Sequence, residues 1–99
     1  MSAWSYEPPK DAVHVHTLLV PITVSGATLT QVHLRRPRGR DLRLTDGMKP
    51  MLQQLQLIES CGNLTRAAVD DLDATDVSAL GEVLAGFLES GPTSGAKGS

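Results

Sequence analysis

Cysteine is nearly absent. Cys61 is the sole thiol in 99 residues, so no internal disulfide can staple the fold and no multi-thiolate zinc site can be built from this chain alone. Aromatic residues are scarce too: Trp4 and Tyr6 fall in a Pro-Pro-containing opening stretch, leaving Phe87 alone in the body of the chain. The core is therefore expected to be aliphatic. No apolar run approaches the roughly 20 residues that cross a bilayer, and Met1–Lys10 lacks the basic-then-apolar order of a signal peptide. The expected setting is the cytosol, without a membrane partner. Charge of either sign is in small excess only, nine basic against eleven acidic side chains giving −2. With 40% hydrophobic and 20% charged residues, wholesale disorder and collagen-like or mucin-like chains are excluded.

What is present reads as one small α+β domain, an N-terminal antiparallel β-hairpin packed with three to four C-terminal helices. Residues 1–12 read as a flexible leader, 13–89 as the domain, and 90–99 as a flexible Gly/Ser-rich tail with nothing to bury. From Val13 to Arg35 the residues are β-branched and alternating, broken once by Ser25-Gly26, which supplies the positive φ of a tight turn. Pro21 has no amide proton, so its strand is expected to be an edge or to bulge there. The apolar parity also slips between Leu29 and Val32, predicting an irregular second strand.

After Arg36-Pro37-Arg38-Gly39 the apolar spacing changes from two to three or four. Asp41 opens a short turn carrying Leu42 and Leu44. Pro50–Ser60 places Met51, Leu52, Leu55 and Ile58 on one helical stripe, broadened by Leu57, with Gly62 as the expected left-handed cap. Thr65 reads as the N-cap of a short helix with Ala68, Val69 and Leu72 inward. Asp73 caps the last helix, whose apolar residues Val77, Leu80, Leu84, Phe87 and Leu88 recur at helical spacing.

Few residues are candidates for chemistry. His14 and His16 share a strand face, and with His33 they could form a three-nitrogen metal site. A polar cluster on the solvent face explains the same letters, and no carboxylate at ligand spacing accompanies them. Cys61 lacks neighbours that would lower its pKa and reads as a small residue in a helix's last turn. Asp70, Asp71, Asp73 and Asp76 fall at helix starts and outer faces, where capping and solubility account for them. No nucleophile elbow, Walker loop or dinucleotide fingerprint occurs. An enzyme is not expected, and no cofactor or metal is implied.

Charge is segregated along the chain. Residues 35–43 hold five arginines and one aspartate, whereas residues 59–89 hold seven acids and one arginine. The basic run is short and has no interleaved aromatics, so nucleic-acid binding is the lesser reading beside pairing with the acidic helices or docking on an acidic partner.

The stretch LLVPITVSGATLTQVHLRRPRGRDLRL resembles the signature of the Mu-like phage tail assembly chaperones. In that family an L-x-x-P-I strand, a glycine turn and a return strand ending L-R-x-P precede an acidic residue and leucine, here Asp41-Leu42. Leu64, the DDLDATD run from Asp70 to Asp76, and the closing Phe87-Leu88 match the rest of its pattern. The resemblance implies a non-enzymatic factor that binds the tape measure protein in the host cell cytoplasm, helps recruit tail tube subunits and is absent from the finished virion. A second copy of the chain is another partner to consider. The competing readings are a permanent tail or baseplate component and a small nucleic-acid-binding regulator using Arg35–Arg43. Under the chaperone reading Arg35, Arg36, Arg38 and Arg40 orient the client, and Met51, Leu55, Ile58, Leu84, Phe87 and Leu88 supply its apolar contact.

Overall fold

The computed structural model describes residues 5–90; expectations for residues 1–4 and for the tail from 91 onward lie outside the described residues. The elements are β1 (His14–Val24), β2 (Ala27–Leu34), α1 (Gly39–Thr45), α2 (Pro50–Gly62), α3 (Arg66–Asp71) and α4 (Ala74–Ser90). This is the α+β arrangement expected, a two-stranded antiparallel sheet followed by four helices.

Ser25 and Gly26 both take positive φ, +49° and +84°, the backbone of a two-residue hairpin turn whose twist suits the strands. Pairing runs regularly from His14↔Leu34 to Thr17↔Gln31 and resumes at Ile22↔Leu29. Between those pairs four residues, Leu18 to Pro21, face Thr30 alone. Pro21 thus sits in a bulge, where its missing donor breaks no ladder bond. The parity slip in β2 is real, Leu29 and Val32 both being buried, but the extra residues belong to β1.

The inner face of the hairpin, with Leu18, Ile22, Val24, Val32 and Leu34, closes on Leu57, Ile58 and Cys61 of α2, Ala68 and Val69 of α3, and Leu80 and Leu84 of α4. Every large buried side chain of this core is aliphatic, and Phe87 packs at its margin.

One helix end differs from expectation. Helix α2 runs through Gly62, and the left-handed cap is Asn63 at φ +54°. Leu64 N–H then closes on the Glu59 carbonyl at 3.0 Å. Gly62 serves packing instead: a Cβ there would stand 3.3 Å from Val32 Cγ1. In α1, Leu42 and Leu44 point outward, and Asp41 and Thr45 are the buried residues. The short helix therefore docks through a carboxylate and a hydroxyl. Thr65 caps α3 as its sequence predicts, its hydroxyl accepting from Ala68 N–H at 3.1 Å.

The stretch before β1 lies against the domain. The Tyr6 hydroxyl donates to the Gly62 carbonyl at 2.6 Å and accepts from His33 N–H at 3.2 Å, and Asn63 donates to the Glu7 carbonyl at 2.7 Å. Tyr6 and Glu7 thus tie the end of β2 to the end of α2.

Candidate functional site

The five arginines do not form one open cluster. Arg35 is buried and pairs in fork geometry with Asp41, at 2.8 and 3.1 Å, while donating also to the carbonyls of Arg36 and Ser60. Asp41 in turn accepts the Arg38 backbone N–H at 2.7 Å, which fixes the first turn of α1. The guanidinium bonds hold the Asp41 carboxyl below its ordinary pKa despite burial. Arg36 donates to the Phe87 carbonyl at 2.9 Å and lies over that ring, 5.1 Å from its centroid. Arg38 pairs with Asp11. Arg40 and Arg43 remain exposed. Arg35, Arg38 and Arg40 share a polar hollow of about 370 Å³ with residues 7–11, Ser60 and Asn63.

The histidines do not converge either. His16 pairs across the sheet with Val32 and His14 with Leu34, whereas His33 pairs with Val15 on the opposite face. His16 turns inward rather than to solvent, its Nε2 2.9 Å from Asp76 Oδ1; a carboxylate can only accept, so the imidazole donates. Asp76 also accepts the N–H groups of Leu19 and Val20, at 2.9 and 3.1 Å. It is 1% exposed, not the solvent-facing helix-start residue its position suggests. Burial pushes its pKa up, and the bonds from Leu19, His16 and Val20 together outweigh that and hold it low. Among the described residues no group of three or more His, Cys, Asp and Glu side chains gathers. Cys61 is fully buried and its thiol is pushed up to about 11 by that burial, leaving it protonated at neutral pH.

Exposed apolar side chains lie along β1 and its approach, at Val13, Val15, Leu19 and Val20, and on α1, at Leu42 and Leu44, and one further stripe follows α2. Met51 and Leu52 are 59% and 55% exposed, with Met48 beside them. Two adjoining hollows border this stripe. One, of about 270 Å³, is lined by Met48, Leu52, Leu55, Gln56, Glu59, Arg66, Val69 and Asp70. The other, of about 320 Å³, is lined by Met51, Leu55, Val69, Asp70, Leu72, Ala74, Val77 and Ser78. Leu55, Val69 and Asp70 belong to both, so the two hollows form one groove between α2 and α3 that reaches the start of α4. A smaller hollow of about 160 Å³ between α2 and α4 holds Leu57, Leu84 and Leu88, the last 51% exposed.

Of the apolar residues singled out from the sequence, Met51 and Leu55 line the groove, Leu88 lies in the smaller hollow, and Phe87 sits under Arg36. Ile58 and Leu84 are core, at 0% and 2% exposure. Periodicity alone did not separate them, because one helical stripe runs from open groove into closed core. Of the remaining groove residues, the sequence places Val69 inward and Asp70 on an outer face, and gives no role to Met48. Met48 precedes α2 and continues its stripe backward by one turn, a signal available in the sequence.

Residues 15–89 match the family described as phage tail assembly chaperone proteins, E, or 41 or 14. The chain belongs to the phage tail assembly chaperones. The matched span takes in both strands and all four helices, hence the groove and the Asp41 and Asp76 anchors of this chaperone. Chaperones of this family are in general not enzymes, and their partners are phage tail proteins. No curated protein and no solved structure matches the chain. Among the described residues no helix is long and apolar enough to cross a membrane.

Proposed function

We propose that this chaperone holds a helical segment of the tape measure protein in the groove between α2 and α3, in the host cytoplasm, and helps recruit tail tube subunits before leaving the assembling tail. The observation that carries the reading is that Met48, Met51 and Leu52 stand exposed where they border two adjoining hollows floored by Leu55, Val69 and Leu72; Val13, Val15, Leu19, Val20, Leu42, Leu44 and Leu88 are exposed elsewhere. A contiguous apolar groove is the complement of an amphipathic helix, and methionine adapts to irregular partners. Arg38 and Arg40, exposed at the polar hollow, steer the client electrostatically, with Arg36 beside them on Phe87. Arg35 serves the fold through Asp41.

Co-expression tests this. The tape measure protein expressed alone is expected in the insoluble fraction, and expressed with this chain it is expected to be soluble and to co-purify. Absence of both effects overturns the reading. Finding the chain in purified particles at fixed stoichiometry replaces it with a permanent tail component.

A further inference from the structure

The groove carries a charge preference. Glu59 and Arg66 stand 3.7 Å apart on its wall and offset each other. Asp70 lines both hollows, is exposed, and has no ion-pair partner among the described residues. The groove is thus two hollows that meet at Leu55 and Val69, each with an apolar wall, Met48 and Leu52 in one and Met51, Leu72 and Val77 in the other, and with one unbalanced carboxylate common to both. A partner carrying an acid at that point would set like charge against like charge beside apolar walls, and a partner carrying a cation would neutralise it.

We propose that the segment seated here is an amphipathic helix with a lysine or arginine between two apolar anchors, the cation meeting Asp70 and the anchors entering the hollows on either side of Leu55. This rests on the reading that the groove is the client site, and adds what that site selects. The selection is electrostatic and partly exposed, so it weakens as salt is raised.

The test uses two synthetic amphipathic helices of about five turns. They are identical except for one residue between two leucine anchors, Lys in one and Glu in the other. Binding to the full chain is followed by fluorescence anisotropy. The wild type is expected to prefer the Lys peptide by about fivefold, and Asp70→Lys to prefer the Glu peptide. Asp70 is exposed near the C-terminal end of α3, where a cation suits the helix dipole, so the variant is expected to melt like the wild type. Equal binding of the two peptides, binding of neither, or a preference that Asp70→Lys leaves unchanged overturns the proposal. Co-purification of the tape measure protein is read separately. If it persists equally in wild type and Asp70→Lys, the function stands and the charge selection falls. If the peptides discriminate but the tape measure protein does not co-purify, the selection stands and the client assignment falls.

Discussion

The carboxylate of Asp76, in the first turn of α4, lies 2.9 Å from the backbone nitrogen of Leu19 in the β1 bulge, 57 residues away in sequence. Its other oxygen takes Val20 N–H. The bulge is where β1 runs out of partners on β2, and a helix side chain supplies the acceptors the ladder cannot. The outcome is a turned-out bulge, with Leu18 in the core and Leu19 68% exposed. One residue thus couples the hairpin to the helix that closes the core.

Asp76→Asn is expected to destabilise the fold by about 3 kcal/mol. Asparagine replaces one acceptor oxygen with a donor, which must face an N–H or the imidazole. Urea melts at neutral pH check this, and a loss below about 1 kcal/mol argues that the bulge is held by other contacts.

Acid should weaken the wild type in a way this variant does not share. The folded Asp76 carboxyl titrates below its ordinary value of 3.8, as does that of Asp41. A group held lower when folded contributes fully above its unfolded pKa, and that contribution is lost as pH falls through the folded one. Denaturation midpoints measured from pH 5 downward should fall less steeply in Asp76→Asn than in the wild type.

Breaking the Arg35–Asp41 pair from one side should cost more than removing it. Asp41→Leu leaves a guanidinium without its partner in a buried site and is expected to cost about 3–5 kcal/mol. Arg35→Met combined with Asp41→Leu should recover much of that loss, since neither charge then remains to be compensated. A double-mutant cycle in urea reads the coupling directly.

Two glycines in helices should respond in opposite directions to alanine. At Gly86 an added Cβ meets nothing within 4 Å, and the change should stabilise by about 0.5–1 kcal/mol through helix propensity. At Gly62 the new methyl would press on Val32, which is fully buried and has no room to yield, so Gly62→Ala should lower Tm. Thermal melts of the two variants suffice.

Leu52→Glu and Met51→Glu should leave Tm within about 3 °C, because both side chains are largely exposed, yet reduce co-purification of the client by about tenfold or more. Ile58→Ala is the contrasting core variant, expected to cost about 2–5 kcal/mol through a buried cavity. Equal client binding in the two groove variants and the wild type would move the site elsewhere.

Helix and strand identities, the Ser25-Gly26 turn, the Thr65 cap and the family pattern were legible in the amino-acid order, since each depends on residues within a few positions of one another. The α+β class followed from the change of apolar period after Arg36. The cap falls on Asn63 and not on Gly62 because a left-handed site is satisfied equally by asparagine, and only the approach of Val32 decides which residue must lack a side chain.

By itself the sequence determined the order and type of the elements, because backbone propensity, capping and apolar period act locally. Only the tertiary structure decided what the charged and apolar side chains are for. Arg35 is closed in on Asp41, Asp76 on the bulge, Tyr6 on Gly62, while Met51 and Leu52 stay open where Ile58 on the same stripe is sealed. Apart from the six-residue reach of Arg35 to Asp41, those contacts join surfaces 56 or 57 positions apart in the chain, and a helical period records that a face is apolar without recording what covers it.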